Sequence, residues 1–189
     1  MSEADRELIA QVAKGDRAAF TELMRRHESM VFAVCMRMLA DRDRALDASQ
    51  EVFLTLFRKA GKFRGESAVS TWLYRIAVNT SLDSIRKAKR RPVSTLPEGF
   101  EAADPTALDG YSAIEVRPEI EKAIHSLPPE FRAAVVLSDA HGLALAEISE
   151  ILGVPVGTVK SRVFRARRLL AEQLGNLAGG SRHPTVETP

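Results

Sequence analysis

Apolar positions recur along most of this chain at intervals of three and four, the spacing of one face of an α-helix. Leu8, Ile9 and Val12 predict a short helix over residues 4–14, ended near Gly15. Asp16 is placed to cap a second helix, whose stripe runs through Phe20, Leu23, Met24, Val31, Val34, Met38 and Leu39 to about Ala40. After a polar break from Asp41 to Asp43, a third helix spans about 44–60, with Val52, Phe53, Leu56 and Phe57 expected inward. A glycine-containing loop over 62–69 leads into a long helix over 70–91, which Pro92 stops. Two further helices are predicted over 119–127 and 130–140, separated by Pro128 and Pro129. The pattern is that of an all-α chain.

The most informative stretch is ALAEISEILGVPVGTVKSRVFRARRLLAEQL, from Ala144 to Leu174. Leu145, Ile148, Ile151 and Leu152 form one stripe, and Val159, Val163, Ala166 and Leu170 form another. Gly153 and Pro155 between them suit the end of one helix and the first turn of the next. This is a helix, a tight turn and a second helix. With the second stripe inward, Ser161, Phe164, Arg165 and Arg168 point outward, and Lys160, Arg162 and Arg167 lie on the flanks. No acid stands between Glu150 and Glu172. A solvated basic helix normally interleaves acids for i,i+4 pairing. The pattern therefore favours a helix for the DNA major groove, with flanking cations on phosphates and the crest at base edges.

Charge sharpens the division of the chain. Of 189 residues, the first 91 carry 18 basic and 12 acidic side chains, residues 92–118 one and five, and residues 119–189 eight of each. The proline-containing acidic stretch 92–118 reads as a flexible linker. It divides a first helical domain, 1–91, from a four-helix domain, 119–175, with a disordered-looking tail over 176–189. No apolar run approaches the roughly 20 residues that span a bilayer, and the acidic N-terminus lacks a signal-peptide core. A cytoplasmic protein is expected.

Little here suggests catalysis. Cys35, the one cysteine, lies in an apolar helical run and reads as packing rather than a redox sensor. His27, His125, His141 and His183 are scattered without metal-ligand spacing, so neither a metal nor another cofactor is expected. Asp47 and Glu51 share a helix face with Gln50 and Leu54, but no neighbour gives the carboxylates acid–base work. That face is either plain exposed surface or a docking site for a protein. Phe63, Trp72 and Tyr74 stand near Arg64, Arg75 and the basic run 86–91. Such aromatics belong either to a core or to a surface on which unpaired bases stack while cations meet phosphates.

Four motifs carry a resemblance that covers the chain to about residue 175. They are Asp47-x-x-Gln50-Glu51-Val-Phe; Phe63-Arg-Gly-x-Ser67-x-x-x-Thr71-Trp-Leu-Tyr-Arg-Ile-Ala-x-Asn79; Leu127-Pro-x-x-Phe131-Arg; and Val154-Pro-Val-Gly-Thr-Val-Lys-Ser-Arg-Val-Phe-Arg-Ala-Arg167. In this order the chain resembles the extracytoplasmic-function sigma factors, the two-domain initiation subunits of bacterial RNA polymerase. The resemblance implies that Asp47, Gln50, Glu51 and Leu54 dock on the clamp helices of the polymerase's largest subunit. It implies that Phe63, Arg64, Trp72, Arg75 and Asn79 accept an unpaired base of the −10 element, with Arg86, Lys87 and Arg90 on phosphates. Thr158, Lys160, Ser161, Arg162, Phe164, Arg165 and Arg168 would read the −35 duplex, and an anti-sigma factor would be a regulatory partner. The competing reading is an autonomous helix-turn-helix regulator, which would need a dimerisation or ligand domain not evident here. An enzyme acting on nucleic acid lacks a nucleophile, a metal cluster or an acid–base pair.

Overall fold

The computed structural model describes residues 3–90 and 118–179, with side chains to residue 175. The expected linker, and the tail beyond residue 179, lie outside the described residues. Eight α-helices are described: α1 (Glu3–Ala13), α2 (Arg17–Leu39), α3 (Arg42–Lys59), α4 (Val69–Arg90), α5 (Pro118–Ser126), α6 (Pro129–Val135), α7 (Leu145–Leu152) and α8 (Val156–Gly179). A single 3₁₀ turn, Ala60–Lys62, extends α3, and a π-helical turn, Val136–Ala140, extends α6.

Local chemistry sets the boundaries. The Asp16 carboxylate accepts the N–H groups of Ala18 and Ala19 at 2.8 and 3.0 Å, satisfying two of the donors that a helix start leaves unpaired. Asp41 does the same for Arg44 at 2.9 Å. α3 therefore begins at Arg42, inside the stretch expected as a polar break, because Asp41 caps a helix rather than interrupting one. α2 ends on Ala40, a non-glycine residue in the left-handed region at φ 56°, its N–H donating to Met36 O at 2.9 Å. α7 ends on Gly153 at φ 64°, a conformation that glycine adopts without a Cβ penalty. The turn is stitched further by the Ser149 hydroxyl, which donates to Val154 O at 2.6 Å. At its far end α8 passes Gly175 and continues to Gly179, so residues 176–179 are helical rather than tail.

Helices α1–α4 pack as one group and α5–α8 as another, and the groups touch where α7 meets α4 and where α5 and α6 meet α2. One apolar core runs through both. It joins Leu23, Met38, Leu56 and Leu73 of the first group to Leu137, Ile148, Ile151 and Val159 of the second. Each fully buried side chain of this size contributes about 1.5–3 kcal/mol relative to exposure. Cys35 is completely buried within this core, as expected for a packing residue, and burial pushes its thiol pKa up, away from the reactive thiolate. Among the described residues no helix is long and apolar enough to cross a membrane.

Candidate nucleic-acid and partner interfaces

The outer face of α3 carries Asp47, Gln50, Glu51 and Leu54 together, all exposed, with Leu54 at 47%. Leu46 and Phe57 are also exposed. Phe57 was expected inward. Its ring instead stands edge-on to Phe20 at 5.1 Å, at the rim of the α2–α3 packing, because Val52, Phe53 and Leu56 already fill the inward stripe. Between α2 and α3 lies an apolar groove of about 450 Å³, lined by Phe20, Met24, Phe32, Leu46, Phe53 and Leu54 among others, with Gln50 at its edge. A row of exposed apolar side chains beside two carboxylates and a groove suits a protein partner better than solvent.

The loop before α4 brings Phe63 and Trp72 together, their ring centroids 5.3 Å apart and inclined by 38°. Both are half-buried. The Phe63 N–H donates to Ala60 O at 3.1 Å, and Gly65, at φ 72°, lets the chain reverse. Arg6 of α1 donates to Gly65 O at 2.8 Å, so the loop is tied down on two sides. Arg64, Arg75 and Asn79 are exposed nearby in sequence, as are Arg86, Lys87 and Arg90 at the far end of α4. Arg86 pairs with Asp83 at 2.8 Å, an exposed contact of little energetic worth that a phosphate can displace. Tyr74 does not join this set. It is 9% exposed, and its hydroxyl meets His141 Nδ1 at 3.1 Å, because residues 74 and 72 lie about 200° apart around α4.

On α8 the inward stripe is as expected: Val159, Val163 and Ala166 are buried. Lys160, Ser161, Phe164, Arg165 and Arg168 are exposed, Phe164 at 67%, while Thr158 and Arg162 are partly covered. Ser161 donates its hydroxyl to Thr158 O at 2.9 Å. Arg168 stands 3.6 Å from Glu172. Arg167, expected on a phosphate-facing flank, is held in a two-point pair by Asp139, Nη2 to Oδ1 at 2.7 Å and Nε to Oδ2 at 3.0 Å. The guanidinium in turn lowers the Asp139 pKa. Sequence spacing gave no sign of this partner, which comes from the π-helical turn 28 residues away.

Arg132 is a second residue whose work periodicity could not show. Half-buried, it donates to the carbonyls of His125 and Leu127, closing the α5 end, and to Met38 O of α2 at 2.5 Å. Burial lowers its pKa. Among the described residues no group of three His, Cys, Asp or Glu side chains is placed to hold a metal ion.

Two families match this arrangement, Sigma-70 region 2 over residues 23–91 and Sigma-70 region 4 over residues 117–170. The ECF RNA polymerase sigma factor SigM of Mycobacterium tuberculosis is 42% identical over 177 residues, covering 94% of this chain and 88% of its own. The chain belongs to the extracytoplasmic-function sigma factors. The ECF RNA polymerase sigma-E factor of Escherichia coli is 37% identical over 176 residues, covering 88% of this sigma factor and 92% of its own length. The sigma factor RpoE of Bartonella quintana, solved with the anti-sigma factor NepR, superposes with a TM-score of 0.63 at 25% identity, over 82% of this chain and 96% of that one. As a member of this family the protein is a transcription initiation factor, and its two family matches fall on the α2–α4 and α5–α8 segments described above.

Proposed function

We propose that this sigma factor divides promoter recognition between three surfaces. Residues 1–91 form the polymerase-docking and −10 domain, residues 92–118 the connecting linker, and residues 119–175 the −35 domain. Asp47, Gln50, Glu51 and Leu54 dock on the clamp helices of the polymerase's largest subunit, their exposed carboxylates and leucine rimming the α2–α3 groove. Phe63 and Trp72 capture a base extruded from the −10 element, with Arg64, Arg75 and Asn79 around it, and Arg86, Lys87 and Arg90 hold backbone phosphates. Thr158, Lys160, Ser161, Arg162, Phe164, Arg165 and Arg168 meet the −35 duplex.

The observation that carries this reading is the Phe63–Trp72 pair. Two half-buried rings stand 5.3 Å apart beside a loop that Arg6 ties down through Gly65 O, packing on the core with one side and leaving the other for a base to stack on, at the start of a helix with a cationic end. The protein's role is to select and open DNA, and the bond-making belongs to the polymerase. It works in the cytoplasm, where core polymerase and promoters are. A regulatory anti-sigma factor is a further partner, as NepR is for RpoE of Bartonella quintana.

In vitro transcription with bacterial core polymerase over a pool of genomic fragments tests the whole reading. Discrete transcripts that depend on the chain are expected, and they yield the promoter directly. Specific duplex binding by the chain alone, with no transcripts, would make it an autonomous regulator.

A further inference from the structure

The loop that carries Phe63 has few bonds of its own. Phe63 N–H donates to Ala60 O and Trp72 N–H to Ala68 O, each at 3.1 Å. Among the described residues no backbone–backbone hydrogen bond joins residues 64–67 to any element. Gly65, at φ 72°, turns the chain within this stretch. The hydrogen bond that Gly65 O accepts comes from outside the loop, from Arg6 Nη2 of α1 at 2.8 Å, 59 positions away. It is the one side-chain hydrogen bond made to residues 63–68 among the described residues.

Helix α1 can supply that bond because it is itself fixed to α2. Its Ile9 and Val12 are buried in the core. Asp5, next to Arg6 in the chain, accepts from Arg26 Nη1 of α2 at 3.2 Å and meets His27 Nε2 of the same helix at 3.1 Å. The Asp5 side chain is only 14% exposed. Neighbouring helix residues point about 100° apart, so a single turn of α1 faces α2 through Asp5 and the loop through Arg6. α1 also packs along the 3₁₀ turn Ala60–Lys62, from which the loop departs. Arg6 is exposed and takes no part in the core.

We propose that α1 is a brace for base capture and that Arg6 is its positioning residue. The guanidinium holds Gly65 O, and through the loop backbone it keeps the Phe63 ring against Trp72 before DNA arrives. The proposal rests on the base-capture reading of Phe63 and Trp72. A loop free to move must lose backbone freedom when a base stacks on it, and a loop already held loses less. Arg6 therefore favours the open promoter without touching a base.

Trp72 is the one tryptophan of the chain, so its fluorescence reports the ring pair in the full protein without DNA or polymerase. Acrylamide quenching of Trp72 should rise in Arg6→Ala toward the value of Phe63→Ala, in which the shielding ring is absent. The melting temperature should stay near that of the parent, because Arg6 is exposed and alanine suits a helix. Unchanged quenching overturns the brace. With core polymerase and the promoter recovered by transcription, Arg6→Ala should leave closed-complex affinity intact. It should lower the ratio of open to closed promoter about 2- to 10-fold, the worth of one ordinary hydrogen bond. Arg6→Lys, which keeps a cationic donor, should recover most of that loss. In the Phe63→Ala background Arg6→Ala should add nothing, since the ring it positions is gone. Fully additive losses overturn the proposal. So does a fall of about one in the salt slope of promoter binding, which would make Arg6 a phosphate contact. An unaltered open fraction in Phe63→Ala alone removes the base-capture reading and this proposal with it, whereas unchanged quenching overturns the brace alone.

Discussion

Replacing Phe63 by alanine separates base capture from every other task assigned to this chain. The ring is half-buried and lies 5.3 Å from Trp72, so one part of it packs on protein and the other remains for a base. Truncating a fully buried phenylalanine costs about 3–5 kcal/mol. A half-buried one, on the same scale, costs about 2 kcal/mol, well within the 5–15 kcal/mol that holds a typical domain. The variant therefore folds, and the α3 surface proposed to dock on polymerase is untouched. What it loses is stacking, worth about 1–3 kcal/mol per base, or about 5- to 150-fold in the equilibrium between closed and open promoter. The assay is a holoenzyme assembled on a promoter with a fluorescent adenine analogue in the −10 element, read in parallel with duplex binding. Closed-complex affinity should match that of the parent, and the open fraction should fall by the stated factor. Unchanged opening with weakened duplex binding would refute the base-capture role.

Other expectations follow from the same geometry. Arg165→Ala should weaken −35 binding by about 1–3 kcal/mol at one base pair if the guanidinium reads a base edge, as gel-shift titration against single-base variants would reveal; equal loss on all sequences would make Arg165 a phosphate contact. Leu54→Glu should leave the melting temperature nearly unchanged, since the side chain is 47% exposed, yet weaken binding to core polymerase by more than about 1 kcal/mol; wild-type affinity for core would remove Leu54 from the docking face. His125 and His141 are held well below their ordinary 6.5, to about 4, chiefly by burial, with Arg132 beside the first and Arg37 beside the second adding to it. Between these values the unfolded chain binds more protons, so stability is full above about 6.5 and declines as pH falls toward 4. Thermal melts at pH 7 and 5 should show that loss, and the double variant His125→Asn, His141→Asn should flatten it.

Much of the fold was legible because a helix that buries one face must repeat its apolar residues every three or four positions. The α8 stripe of Val159, Val163 and Ala166 is buried, and the residues opposite, Ser161, Phe164, Arg165 and Arg168, are exposed. Asp16 caps where its position before an apolar stripe said it would. The misplaced ends have local causes. Asp41, Arg42 and Asp43 look like a loop by polarity, yet one carboxylate accepting one N–H makes them a helix start. Phe57 belongs to the apolar stripe by spacing but stands at its edge, where Phe20 meets it and solvent reaches it.

By itself, then, the sequence determined the helices, their apolar faces, the zoning of charge and the four motifs that mark the family, because each is a pattern of residues close together along the chain. Only the tertiary structure decided which of those residues meet. Tyr74 and His141, 67 positions apart, share a hydrogen bond, and of the two readings left open for Tyr74 the buried one holds. Asp139 pairs with Arg167, and Arg75 donates to Glu150 O, two contacts between distant segments that spacing along the chain does not announce. Arg132 links three carbonyls on two sides of the molecule. Periodicity reports which face of a helix is covered. It carries no information on which distant donor or acceptor lies beneath, because that depends on how whole helices settle against one another.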